Sequence, residues 1–186
     1  MDRRKSIFLL GTGSLLLSQN SFPVHSMALE MKLGEDDFME AFTIRWEGLK
    51  THTFEVFEAM PGDKFSYRPT QEVMSFAKLF SHIGFSLDIY AEVLDGATKL
   101  EEPTSENRDV VFSYLQTRFR RFEDAVRVVN PENLYTRNHF FSSDEPWKNF
   151  TIFDIIMLSY NHAVHHKGQA TTYLRLQGVK PPQYRF

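Results

Sequence analysis

Residues 151–178 read TIFDIIMLSYNHAVHHKGQATTYLRLQG, and the reading of this stretch decides the fold. Thr151 followed three residues later by Asp154 is a capping-box start, in which each side chain satisfies the other residue's free amide. Gly178 with Pro181-Pro182 beyond it is a helix stop. The spacing therefore predicts one helix from about Thr151 to Leu176, roughly 39 Å long at 1.5 Å per residue. Residues four apart on a helix share a face, so His162 and His166 present their imidazoles to one point. His165 is turned about 100° from His166. Ile155, Leu158, Ser159, Gln169 and Tyr173 share the face of the first two histidines, which aims it at a protein interior.

Three further helices are expected upstream. The first runs from about Glu35 to Met60, with Phe38, Phe42, Trp46, Leu49, Thr53 and Phe57 at steps of three and four, and stops at Pro61-Gly62-Asp63. The second is expected to open at Thr70 as N-cap, with Val73 as its staple, and to run to Gly96 through Phe76, Leu79, His82, Phe85, Ile89 and Val93. The third starts at Ser105, carries Val110, Tyr114, Phe119, Phe122 and Val126 inward, and ends at Asn130-Pro131. Asp88 falls on the outer side of the second helix, and Arg118, Arg120 and Arg121 alternate with Glu123 and Asp124; both are expected to be solvated. Leu134–Phe150 reads as a long irregular loop with at most a short hairpin. The fold class that follows is all-α, a four-helix bundle with a long loop between helices three and four.

The chemistry-bearing residues are histidines. His82 lies in register with Leu79, Ser86 and Ile89 on the inner face of the second helix. Three imidazoles from two adjacent helices would give a three-ligand metal site with one open position for water or substrate. The competing reading is a set of core histidines bonded to carbonyls, because seven histidines yield about a quarter of an H-x₃-H pair by chance. Three imidazoles without partners would each cost about 1–3 kcal/mol, whereas one cation satisfies all three. Tyr160 and Asn161 beside His162, and Gln169 after His166, are candidates for orienting the rings.

Composition narrows the classes. The 186 residues contain no Cys, which excludes disulfides, thiolate metal sites, Fe–S clusters and Cys nucleophiles. A net charge of −3 argues against nucleic acid as a standing partner, since phosphate neutralisation needs a basic surface. Arg3-Arg4-Lys5, the apolar residues Ile7–Leu17 and the polar stretch Ser18–Ser26 read as an export signal over residues 1–28, of the Sec or twin-arginine type. The apolar part is shorter than the roughly 20 residues a bilayer-crossing helix needs, so no stable membrane span is expected after cleavage. The expected location is periplasmic or extracellular, with a cytoplasmic protein carrying an amphipathic N-terminal helix as the alternative. The domain is expected over residues 29–186.

The run His162-Ala163-Val164-His165-His166-Lys167-Gly168-Gln169, then Tyr173-Leu174-Arg175-Leu176-Gln177-Gly178 and Pro181-Pro182, resembles the closing signature of the DinB-like family. Ser75-Phe76-Ala77-Lys78-Leu79-Phe80-Ser81-His82 is similar to that family's Ser-x₆-His stretch. The resemblance spans roughly residues 36 to 184 and implies a DinB/YfiT-like metal-binding bundle. It implies His82, His162 and His166 as metal ligands and gives His165 no ligand role. It places Gly168 where helices approach closely, and Gly178 at the helix end. One divalent transition metal, Zn²⁺, Ni²⁺ or Fe²⁺, suits three imidazoles. The implied function is a metal-dependent hydrolase or transferase acting on a small molecule of unknown identity, with thiol transfer as one family chemistry. A metal-binding or stress-response module without turnover is the alternative, and a homodimer stays open.

Overall fold

The computed structural model describes residues 34–97, 101–137 and 149–185. The expected export signal over residues 1–28, and most of the expected loop between helices three and four, lie outside the described residues. Four helices carry the fold: α1, Glu35–Ala59; α2, Phe76–Asp95; α3, Arg108–Arg127; and α4, Ile152–Leu176. Short 3-10 turns lie at Gly62–Lys64 and Pro131–Asn133. Among the described residues there is no β-strand, and an isolated antiparallel bridge joins Arg137 to Thr151. No described helix is long and apolar enough to cross a membrane.

The ends of α1 and α4 follow the sequence signals. Gly34 donates its amide to Asp37 Oδ2 at 2.9 Å, and Pro61 stops α1. Thr151 and Asp154 form the reciprocal box, with Asp154 N–H on Thr151 Oγ1 at 3.2 Å and Thr151 N–H on Asp154 Oδ2 at 2.8 Å. Gly178 takes φ 73° just past the end of α4, a left-handed conformation that L side chains resist. Its neighbour Val179 returns an amide to Leu174 O at 2.9 Å.

The starts of α2 and α3 differ from expectation. Thr70 and Val73 lie in a non-helical segment, and the N-cap of α2 is Ser75, whose Oγ accepts from Lys78 N–H at 3.2 Å. The cause is a fold-back: Phe76 N–H is satisfied by Tyr67 O at 2.8 Å and Ala77 N–H by Phe65 O at 2.9 Å. Carbonyls from the preceding turn thus satisfy the free amides that helix starts leave. In α3 the cap is Asn107, not Ser105; its Oδ1 accepts from Asp109 and Val110 amides at 3.0 and 3.3 Å. In the first turns of α3 the inward stripe shifts to Val111 and Leu115, with Val110 45% exposed, while Phe119, Phe122 and Val126 are buried as expected.

Side-chain pairs fix the topology. Phe38 meets Phe153 and Phe42 meets Tyr160, so α1 and α4 run parallel. Gly84 lies under Tyr114, and Asp95 pairs with Arg121, so α2 and α3 also run parallel. Met74 O accepts from Tyr173 at one end of the α2–α4 contact, and Tyr90 meets His162 further along, so those two are antiparallel. Around the bundle the order is α1, α4, α2, α3, closed by aromatic contacts between α1 and α3 such as Trp46–Phe122 at 4.7 Å and Phe57–Phe112 at 5.5 Å. Helix α2 is the most enclosed, buried at Leu79, Phe80, Ile83, Leu87 and Ala91, as expected of a helix that is apolar nearly all round.

Because α2 has two buried faces, the solvated reading of Asp88 fails. Asp88 is 0% exposed, and its Oδ1 meets Arg118 Nη1 at 3.4 Å and Arg121 Nε at 3.3 Å. Arg118 is likewise buried, with its guanidinium 4.7 Å from the Tyr114 ring centre. A buried carboxylate is tolerated because cations of the facing helix are held against it. The helical wheel located one inner face of α2; the second, against α3, carries Gly84 and Asp88.

Candidate metal centre

Helices α2 and α4 bring His82, His162 and His166 together. Each ring offers one nitrogen, and the three nitrogens lie within 4.8 Å of one another. Ring centres are 5.0 Å apart for His82–His162, 4.7 Å for His82–His166 and 4.5 Å for His162–His166. His162 Nε2 and His166 Nε2 are 3.1 Å apart. The residues fit a transition-metal ion. Bonds of 2.0–2.1 Å at tetrahedral angles set ligand nitrogens about 3.3 Å apart, so the His162–His166 pair already has that spacing.

The electrostatics favour neutral rings, the form a ligand needs. Burial, followed by the neighbouring imidazoles of His166, His82 and His165, pushes His162 down to about 4. Burial also lowers the pKa of His82, opposed by the charge of Glu102 and aided by Lys78. Burial lowers that of His166 against the opposing hydrogen bond from Gln169.

The other expected residues divide. Gln169 Oε1 is 2.8 Å from His166 Nδ1, so Gln169 touches a site ring. Asn161 is exposed. Tyr160 is half-buried against Phe42 at 6.5 Å, and lines a groove of about 470 Å³ between α1 and the start of α4 with Phe38, Phe153 and Met157. Two residues from His162, it points to the other side of α4. Gly168 is exposed, and a Cβ built there would meet nothing within 4 Å, so it does not mark a close helix approach. That role belongs to Gly84, where a Cβ would stand 2.8 Å from Tyr114 Cε1.

Two neighbours of the site escaped the sequence reading. Tyr90 sets its ring edge-on to His162 at 6.2 Å, and burial raises its hydroxyl pKa, which keeps the proton on that oxygen. Its signal was the eight-residue, two-turn spacing from His82. Glu102 reaches His82 electrostatically and is held by Lys78 Nζ at 2.8 Å. It sits in the irregular connection before α3, where no periodicity could have located it.

Comparison with known proteins places these observations. A sequence model of the DinB family matches residues 37–186. No curated protein matches the chain. A solved DinB-like protein from Bacillus cereus is similar at TM-score 0.66 and 18% identity, over 77% of this chain and 95% of that one. A DinB-like protein (YjoA) from Bacillus subtilis is similar at TM-score 0.63 and 23% identity, over 78% of this chain and 98% of that one. At such identities the likeness carries the fold.

Proposed function

The chain belongs to the DinB family, and we propose that it is a divalent-metal-dependent enzyme whose His82, His162 and His166 hold one Zn²⁺, Ni²⁺ or Fe²⁺ ion. The observation that carries this reading is the convergence of three ring nitrogens from two helices within 4.8 Å. A cation held there supplies a Lewis acid with a vacant position for water or a substrate heteroatom. The protein's own residues keep the imidazoles neutral by burial and hold the His166 ring through Gln169. The reaction class is hydrolysis or group transfer on a small molecule.

Thermal unfolding tests the metal part. Binding to the folded state alone stabilises it by about 2.7 kcal/mol at a hundredfold excess over Kd. The His162→Ala and His166→Ala variants are expected to lower Tm when Zn²⁺ is present and to matter much less after chelation. Equal losses with and without chelator would make these rings ordinary core residues.

A further inference from the structure

On the side of α4 turned away from the histidines, the groove of about 470 Å³ between α1 and the start of α4 has no part in the metal reading. We infer that it is a binding site for a small aromatic carboxylate, which lays its ring on the groove wall and its charge on Arg45. The wall is a connected row of rings. Tyr135 meets Phe153 at 5.7 Å, Phe153 meets Phe38 at 4.8 Å, Phe38 meets Phe42 at 6.2 Å and Phe42 meets Tyr160 at 6.5 Å. All five line the groove without closing it. Phe38, Phe153 and Tyr160 are only partly buried, and Tyr135 is 57% exposed. Aromatic rings pair edge-to-face or offset and bury large areas, so a row left open on one side accepts a further ring. The volume lies in the range of about 300–1,000 Å³ of small-molecule sites, which are mostly apolar with a few polar groups that fix orientation.

Two charged residues line the groove, Asp37 and Arg45, and they are not equivalent. Asp37 is engaged at the start of α1, where its Oδ2 accepts the Gly34 amide at 2.9 Å. Arg45 stands two turns further along, about 12 Å at 1.5 Å per residue. Its guanidinium donates to Ala41 O of its own helix at 3.1 Å and pairs with no carboxylate among the described residues. The planar fork of a guanidinium matches a carboxylate with two parallel donors. Tyr160 meets Phe42, one turn from Arg45, so it stands at the same end of the row and offers a phenol donor. The free recognition groups of this groove thus suit an anion at its Arg45 end, with the apolar body running back toward Phe38 and Phe153.

Isothermal titration of the full-length protein with naphthoate and with phenylbutyrate tests the site, with neutral naphthamide as the control for charge. Saturable binding of one naphthoate per chain is expected, with equal affinity before and after chelation. That equality separates the groove from a carboxylate captured by the cation. Naphthamide on the wild type, and naphthoate on Arg45→Gln, are each expected to bind about three- to tenfold more weakly, as for a charge-assisted hydrogen bond at an exposed position. Tyr135→Ala removes the exposed end of the wall and is expected to weaken both acids. Failure of both acids to saturate below about 1 mM, affinity lost on chelation, or affinity unchanged in Arg45→Gln would overturn the inference. So would sedimentation showing a dimer that Tyr135→Ala dissociates, because a second copy of the chain would then fill the groove. A chain that binds naphthoate as expected but no transition metal would keep this site and lose the metal centre.

Discussion

His162 is held in a place that suits a neutral ring and not a charged one. Its pKa is pushed down to about 4, and those of His82 and His166 are lowered too, each chiefly by burial. In the unfolded chain these rings titrate near 6.5. The folded values are depressed, so as pH falls below about 6.5 the unfolded state binds protons that the folded state refuses, and stability declines. The chelator-treated protein is expected to lose Tm progressively from about pH 6.5 to about pH 4, and His162→Ala is expected to flatten that profile. His52, buried and lowered by burial and by the charge of Lys167, contributes in the same direction, so the variant should reduce the slope without abolishing it. A profile unchanged in His162→Ala would place the proton-linked cost elsewhere. The ligand pair on α4 was legible in the sequence because an i, i+4 repeat is a local property. Glu102 was not, because its nearness to His82 depends on how an irregular segment folds back.

Close helix contact turns on Gly84, which the sequence reading passed over, and not on Gly168, where the family resemblance placed it. Gly84 allows α3 to lie against α2: a Cβ there would be 2.8 and 3.1 Å from Tyr114 ring carbons and 3.2 Å from Arg118 Cγ. Gly84→Ala is therefore expected to destabilise by about 1–3 kcal/mol, the usual cost of overpacking, with partial recovery when combined with Tyr114→Ala. Gly168→Ala is expected to stabilise by up to about 1 kcal/mol, since it meets nothing and removes a glycine from a helix interior. Urea unfolding of the variants checks both signs. The helix ends divide by the same logic of range. Those of α1 and α4 are marked by Pro61-Gly62, the Thr151–Asp154 box and Gly178, all local. Thr70 and Ser105 are acceptable caps by residue type, but α2 begins where Phe65 and Tyr67 carbonyls can reach its first amides. No local pattern encodes that choice.

At the scale of the bundle, His82, His162 and His166 lie where two antiparallel helices of an up-down-down-up arrangement meet. α2 supplies His82 from a helix enclosed on nearly all sides, and α4 supplies His162 and His166 from its inner face. The all-α bundle was legible because four long segments repeat at helical spacing. The pairing of Asp88 with Arg118 and Arg121 was not, since it needs to be known that α2 faces α3 as well as α4. The central claim is that imidazoles from both helices hold one cation. Elemental analysis of protein purified without chelator, beside His82→Ala prepared identically, tests it most directly. The account predicts about one transition-metal ion per wild-type chain and a large loss from the variant; metal-free wild type, or a variant that keeps its full metal content, would contradict it.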